Sequence, residues 1–494
     1  MPNKNINLIK AHIFVIFLLA SCASPEPSVY TETATLPVPT ETATLPTDIP
    51  IPTNAPVSAL ERAQYNLNIT IDYDAHTVTV DETIFYPNLT GHPLNTLVMA
   101  IVPNLWQDSF SLTSIAIDGI KTTTYSISGQ RLDLELSSSL PAGGLVKIDV
   151  QYTLSLPFAD QEDPGISRPR IYGYTPRQMN LTNWYPFVVP YINGKWILHE
   201  PWYYGEHLVY DAADYEVNVR FTDPATAPIV AASGAPEQLA DSIRYTITAA
   251  RTFVISASPE YQVASLQVGD VTVSSYYFPL SKYPGRAVLQ ATAQAIQVFS
   301  ERYGAYPHKT LSIVMADFKD SMEFSALYFH SPLYYEQYDG TPMNYLTFIA
   351  AHETAHQWWF EQVANDQAQQ PWLDEALATY SERVYYENLR PDLVSTWWVY
   401  RVDFFNPQGF INVPIYDAQG FEPYRVTVYL QGAHFLEELR ARIGDEAFFA
   451  FLQDYLAQGR GKIVTANDFF RILSQHTGAD YSDLVRQYFQ NIYQ

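Results

Sequence analysis

Hydrophobic residues alternate with polar ones through most of the first half of this chain. Between Tyr65 and about Val273 the alternation recurs in short runs, among them Tyr65-Leu67-Ile69-Ile71, Leu132-Leu134-Leu136 and Tyr215-Val217-Val219-Phe221. Such a period of two residues is typical of strands with one buried face. Breaks rich in Gly, Pro, Asn and Asp separate the runs, so the pattern predicts an antiparallel β domain of about 200 residues.

From Arg286 onward the pattern becomes largely helical, with one short sheet predicted around 311–335. The segment 345–362 is apolar on nearly all faces, which predicts a buried helix. The fold class is therefore α+β and multi-domain, with β structure first and a mainly helical region second. The other predicted helices lie at 372–389, near 426–442, 445–457, 466–475 and 480–490.

The first 58 residues have a different composition from the rest. Lys4 and Lys10 precede a short apolar run, His12 to Ala20, as in a secretory signal peptide. The sequence Leu-Ala-Ser-Cys at 19–22 resembles a bacterial lipobox, and Cys22 is the single cysteine of the chain. We expect a lipidated Cys22 that anchors the protein to a membrane. The alternative is an ordinary cleaved signal peptide with an incidental cysteine.

Residues 23–58 repeat TETATLP twice, are rich in Thr and Pro, and contain no Lys or Arg. This composition predicts an extended linker. The expected organisation has four parts, and it places the protein outside the cytoplasm, on the cell envelope or surface. The parts are a lipoprotein signal peptide (1–22), the linker (23–58), an N-terminal β domain (59–270) and a second domain (271–494).

Acidic residues outnumber basic ones by 52 to 28, which gives a net charge of −24. A surface this negative disfavours nucleic acids and anionic lipid headgroups as partners.

The strongest chemical signal is His352-Glu353-Thr354-Ala355-His356, followed after eighteen residues by Glu375. On a helix, positions i and i+4 share one face, so both imidazoles can bind one metal ion. Two imidazoles and one carboxylate are ligands of catalytic zinc, which keeps one position open and lowers the pKa of water toward about 7. We therefore predict one Zn²⁺ per chain, with Glu353 as general base. The alternative is a pair of hydrogen-bonded core histidines.

Two other residues are candidates for supporting roles. Glu382 lies two helical turns beyond Glu375 and is a candidate to orient an imidazole, although the sequence favours a solvated surface carboxylate there. Tyr429 lies in an amphipathic stretch that begins near Val426 and is a candidate hydrogen-bond donor to an oxyanion. Taken alone, one tyrosine among 37 indicates packing.

At roughly residues 60–494 the chain resembles the aminopeptidase N-type family of zinc metallopeptidases, the gluzincins. HETAHQWW with WLDEALATYSE is similar to the family's zinc-binding core, and the run 303–318 resembles the strand that leads into its substrate cleft. DSMEF at 320–324 is similar to the GxMEN signature, and YLQGA at 429–433 to the segment with the catalytic tyrosine.

This resemblance implies a saddle-like β domain ahead of a thermolysin-like catalytic domain. It also implies a zinc aminopeptidase that acts on peptides. The implied roles are zinc binding by His352, His356 and Glu375, proton transfer by Glu353, oxyanion stabilisation by Tyr429 and binding of the substrate's α-ammonium by Glu323. Apart from the resemblance, Asn180 begins an aromatic-rich stretch that we expect at the domain junction, and it is a further candidate to hold that ammonium.

Asp320 and Phe324 replace the Gly and Asn of GxMEN, and Asp374 and Ala376 replace an Asn and a Gly beside the third ligand. The changes at Asp320 and Phe324 favour an endopeptidase as the main alternative. Too few residues follow Glu375 for the helical superhelix that closes the cleft in long members, so we expect an open cleft. A catalytically inactive peptide-binding lipoprotein is the other alternative. The intact metal ligands, base and tyrosine argue against it.

Overall fold

The computed structural model of this protein describes residues 60–159 and 171–490. Cys22, the predicted signal peptide and the predicted linker lie outside these residues. Within the described part, no helix is both long enough and apolar enough to span a membrane.

The first part of the fold, which we call the β region (residues 60–159 and 171–258), is built from strands as the alternation predicts. Its largest sheet has eight strands in the order Ala235–Gln238, Ile243–Ala250, Ala213–Phe221, Ala63–Asp72, Thr77–Pro87, Leu145–Ser155, Phe110–Ile117 and Ile120–Thr122. Neighbours are antiparallel except Ala63–Asp72 and Ala213–Phe221, which pair in parallel. The buried face of the strand Ala63–Asp72 carries the predicted residues Tyr65, Leu67, Ile69 and Ile71.

Three smaller sheets complete the β region. Two have four strands and one is a two-stranded hairpin. The first four-stranded sheet has the order Ile229–Ala232, Ile255–Ser258, Met179–Leu181 and Gly173–Tyr174. The second has the order Phe187–Val188, Leu94–Ala100, Arg131–Leu140 and Tyr125–Ser128. The hairpin pairs Tyr191–Ile192 with Lys195–Trp196.

The second part, which we call the helical region (residues 262–490), begins with a five-stranded sheet in the order Gln262–Val268, Val271–Tyr277, Thr310–Met315, Leu327–His330 and Met322–Phe324. The strand Gln262–Val268 pairs within this sheet, although the predicted boundary at residue 270 assigns it to the first domain. A two-stranded sheet joins Ala364–Asn365 to Ile463–Val464. The α-helices are Lys282–Arg302, Pro332–Glu336, Tyr345–Ala355, Trp372–Leu389, Val394–Trp397, Phe421–Arg425, Gly432–Ile443, Asp445–Gly459, Ala466–Leu473 and Ser482–Tyr488, with π-helical turns at Trp398–Val402 and Val426–Gln431.

Arg251 joins the two regions. Its buried guanidinium donates to the carbonyl oxygens of Tyr210 (3.1 Å), Glu361 (3.0 Å) and Lys462 (3.0 Å). A buried guanidinium is tolerated because these bonds satisfy its donors. The bonds hold the β region against the chain that leaves the helix Tyr345–Ala355.

The helix Tyr345–Ala355 is shorter than the predicted helix 345–362. Asn344 caps its start, because the Asn344 side chain accepts a hydrogen bond from Thr347 N at 2.9 Å. The helix ends at Ala355, and the chain then turns, with Phe360 at a φ of 138° that no α-helix contains. This turn is buried like the helix, so its apolar sequence does not distinguish the two.

Candidate metal centre and catalytic cleft

Three side-chain atoms converge at the end of the helix Tyr345–Ala355. His352 Nε2 lies 3.2 Å and His356 Nε2 lies 3.5 Å from Glu375 Oε2. Ligand atoms at about 2.1 Å from a tetrahedral zinc ion lie about 3.4 Å from one another, so these separations and this donor set fit Zn²⁺. His356 follows the last helical residue but keeps helical angles, so the i, i+4 relation survives. Glu375 lies in the first turn of the helix Trp372–Leu389, which the sequence predicts with the same bounds.

The His352 ring is held by Glu382. His352 Nδ1 lies 3.1 Å from Glu382 Oε1, and the carboxylate of Glu382 also accepts two 2.8 Å bonds from Arg401 and one of 3.1 Å from Trp397. Although burial acts to raise the pKa of Glu382, Arg401 and His352 hold it below its usual value. The favoured interpretation of Glu382 as a surface carboxylate is therefore wrong. It is fully buried, and it keeps His352 Nε2 available for a metal.

The His356 ring is held by Asp374, a residue that sequence reasoning did not assign a role. His356 Nδ1 lies 2.6 Å from Asp374 Oδ1. Gln367 Nε2 donates to Asp374 Oδ2 at 2.6 Å and to Glu323 Oε1 at 3.2 Å. The sequence does contain one indication of this role, because Asp374 directly precedes the ligand Glu375 at a position where the family has Asn. A carboxylate orients an imidazole donor more strongly than an amide does.

Glu353 and Tyr429 line the same cleft as the three candidate ligands. Glu353 is buried, its Oε2 has no hydrogen-bond partner among the described residues, and burial raises the pKa of its carboxyl well above the usual range. The Tyr429 hydroxyl donates to Glu375 Oε1, and its ring stacks on His352 with centroids 5.8 Å apart. Burial also raises the pKa of Tyr429, so the hydroxyl keeps its proton. Both groups lie beside the metal centre, where they can act on a reacting carbonyl.

Glu323 lies on the strand Met322–Phe324, and burial raises the pKa of its carboxyl to about 8. It lines the cleft together with Glu206, which comes from a loop of the β region and which sequence reasoning missed. The cleft has a volume of about 390 Å³. Its acidic groups therefore come from both regions of the molecule.

Asn180 does not take the place expected for it. Its Nδ2 donates to Gln178 Oε1 at 3.0 Å, and its Oδ1 accepts from Ser256 Oγ at 2.6 Å, in a buried network of the β region. Asn180 is not among the described residues that line the cleft. Its side chain supports the fold, so the expected contact with a substrate amine is wrong.

Comparison with known proteins agrees with this geometry. Residues 287–488 match the peptidase family M1 domain. Aminopeptidase N of Rattus norvegicus is 29% identical over 194 residues, which are 35% of this chain and 20% of that protein. Aminopeptidase N of Lactococcus lactis subsp. lactis is 26% identical over 156 residues, which are 28% of this chain and 18% of that protein. The matched segment spans only about a fifth of these relatives.

Among solved structures, the M1 zinc metallopeptidase of Deinococcus radiodurans has a similar fold, with a TM-score of 0.64 at 18% identity over 87% of this chain and 94% of that one. A mutant of it bound to a Tyr-Ser-Ala substrate gives a TM-score of 0.61 at 18% identity over 87% and 95% of the two chains. The expected β domain followed by a mainly helical domain is thus confirmed. The match of residues 287–488, the fold and a donor set suited to zinc show a zinc metallopeptidase domain similar to those of the aminopeptidase N-type, or M1, family.

Proposed function

We propose that this protein is a zinc aminopeptidase that releases N-terminal residues from peptides outside the cell. The observation that carries this proposal is the buried carboxylate of Glu323 beside the metal centre. Glu323 and His356 belong to a group of side chains whose donor atoms lie within 4.8 Å of one another. A carboxylate fixed this close to a candidate metal ligand favours a substrate with a free α-ammonium.

His352, His356 and Glu375 would hold Zn²⁺, which supplies a Lewis acid for the carbonyl and for water. Glu353 takes the proton of the attacking water through its unbonded Oε2 and passes it to the leaving amine. Tyr429 donates a hydrogen bond to the oxyanion, which is where charge develops during the reaction.

Glu323 explains why the cut would fall after the first residue. A buried carboxylate without a cation is unfavourable, as its raised pKa indicates. A substrate ammonium removes that penalty, whereas an acetylated terminus leaves the carboxylate unpaired. Binding of the ammonium also fixes the first peptide bond relative to Glu353.

The test compares free and N-acetylated forms of one peptide, with Glu323→Gln beside the wild type. We expect the wild type to cleave only the free form, and Glu323→Gln to lose about 10²-fold in kcat/KM on it. The matched control is Glu336→Gln, which changes an exposed glutamate outside the cleft. Equal cleavage of both forms by the wild type would favour the endopeptidase alternative, which the replaced Gly and Asn of GxMEN support.

The location outside the cell, with a lipid anchor at Cys22, is supported by the apolar run and lipobox-like sequence before Cys22. Mass spectrometry of the N-terminal peptide from membranes tests it. We expect acyl chains on Cys22 and a Cys22→Ser protein that leaves the membrane fraction. An unmodified Cys22 would contradict the anchor but not the peptidase.

A further inference from the structure

A second cavity, of about 330 Å³, opens beside the catalytic cleft. Gly205, Glu206 and Glu323 line both spaces, so the cavity begins at the carboxylates proposed to bind the substrate's ammonium. We call it the side-chain cavity. It lies between the two regions, because its walls come from the β region and from residues 322–324, 360 and 367 of the helical region.

Six aromatic residues line the side-chain cavity. They are Trp106, Tyr172, Trp202, Tyr210, Phe324 and Phe360. Several are held by one another: the Trp106 and Tyr172 centroids lie 5.1 Å apart, and the Tyr210 and Phe360 centroids 6.4 Å apart in an edge-to-face pair. Rings fixed in this way present a preformed surface to a guest.

The two carboxylates that line the cavity are the ones that it shares with the cleft. Glu206 and Glu323 lie at the junction with the cleft, and among the described residues no Lys or Arg lines the cavity. A basic side chain that entered would therefore lose water without meeting a carboxylate beyond the junction. An acidic side chain would be repelled by the carboxylates of Glu206 and Glu323 as it entered.

Phe324 links this cavity to a departure from the family signature. It stands where GxMEN has Asn, directly after Glu323 on the strand Met322–Phe324. In the structure Phe324 is part of the cavity wall and packs edge-to-face on Phe329, with centroids 6.0 Å apart. The replacement thus changes a polar position beside the ammonium site into an aromatic one.

We propose that the side-chain cavity binds the side chain of the substrate's first residue and selects aromatic residues: Phe, Tyr and Trp. This inference rests on the proposed aminopeptidase function. An ammonium held by Glu323 places the first Cα at the junction, and the side chain then extends from Cα into the adjoining cavity. An aromatic side chain covers the ring walls, whereas the methyl group of alanine leaves most of them in contact with water.

The experiment measures kcat/KM of the full-length protein on free-amine p-nitroanilides of Phe, Tyr, Leu, Ala, Lys and Glu. We expect the Phe substrate to exceed the Ala and Lys substrates by about tenfold or more. Equal rates, or a preference for Ala, Lys or Glu, would overturn the inference while the aminopeptidase function stands. Absence of turnover on every substrate would overturn the proposed function, and this inference with it.

Two variants test the walls directly. Phe324→Asn restores the family residue, and Trp106→Ala removes a half-buried ring, whose loss costs less stability than that of a fully buried one. We expect the Phe-to-Ala ratio of kcat/KM to fall about tenfold in each. The control is Trp196→Ala, which alters a half-buried tryptophan of the hairpin formed by Tyr191–Ile192 and Lys195–Trp196. Trp196 does not line the cavity, so this change should leave the ratio as in the wild type. An unchanged ratio in both wall variants would refute the assignment.

Discussion

Two glutamates with similar burial belong to the two regions of this molecule. Glu82 of the β region is 2% exposed and Glu353 of the helical region is 5% exposed. Each has at least one carboxylate oxygen without a hydrogen bond among the described residues, and burial raises the pKa of both. They differ in their neighbours. Glu353 lies in a cleft with two imidazoles and four further carboxylates, whereas only the Tyr152 hydroxyl opposes the rise that burial gives to the pKa of Glu82.

The difference shows that burial and a shifted pKa do not by themselves identify a catalytic carboxylate. Glu82 occupies the inward side of the strand Thr77–Pro87, in line with Val80 and Ile84. It is directly opposite Leu67 and Val150 of the neighbouring strands, inside a hydrophobic core. Glu353 has the same ionisation preference but faces a space that a substrate can enter. A catalytic carboxylate is distinguished from a structural one by a space through which substrate can reach it and by other reactive groups that face the same space.

The largest expected effect separates these two glutamates directly. Glu353→Gln keeps the size of the side chain but removes the proton acceptor. We expect kcat on a free-amine peptide to fall by about 10²- to 10⁴-fold, because proton transfer loses its general base. Metal analysis should still find one zinc per chain. Glu82→Gln, measured alongside, should keep wild-type kcat. A Glu353→Gln protein with undiminished turnover would remove Glu353 as the base.

The next effect concerns Tyr429, whose hydroxyl bonds to Glu375. Tyr429→Phe should lower kcat by about 10²- to 10³-fold with little change in zinc content, because one donor to the oxyanion is lost. Tyr400→Phe, a change of an exposed tyrosine, is the control and should behave as the wild type. If Tyr429→Phe released zinc and kept its kcat per bound metal, the tyrosine would support the Glu375 ligand rather than the reaction.

A smaller effect is expected at the carboxylate behind His356. Asp374→Asn preserves the shape of the side chain but weakens its bond to His356 Nδ1. We expect the zinc dissociation constant, measured by competition with a chelator, to rise by about 10- to 100-fold. Asp392→Asn, at an exposed aspartate, should not change it. An unaltered zinc affinity in Asp374→Asn would mean that this bond does not tune the ligand.

The sequence predicts the candidate ligands well because their relation is local. The spacing of His352 and His356 fixes one helical face, and Glu375 begins a helix with predicted bounds that match the structure. Other features depend on distant parts of the chain. Glu382 is buried because Arg401 reaches it from a separate π-helical turn, and Glu206 reaches the cleft from a loop of the β region. No periodic pattern encodes such contacts.

The smallest expected effect tests Glu82 as the non-functional member of the pair. Because the pKa of Glu82 in the folded protein lies above its usual value of 4.5, the unfolded chain ionises first as the pH rises. The free energy of unfolding of the wild type should therefore decline above about pH 4.5 relative to that of Glu82→Gln, which cannot ionise. We expect the advantage of Glu82→Gln to grow by at least about 1 kcal/mol between pH 5 and pH 8, measured by urea unfolding. Glu135→Gln, at an exposed strand glutamate, should show no such growth. A constant difference across this pH range would mean that Glu82 ionises as readily in the fold as in the unfolded chain, and the resemblance between the two buried glutamates would then end at their burial.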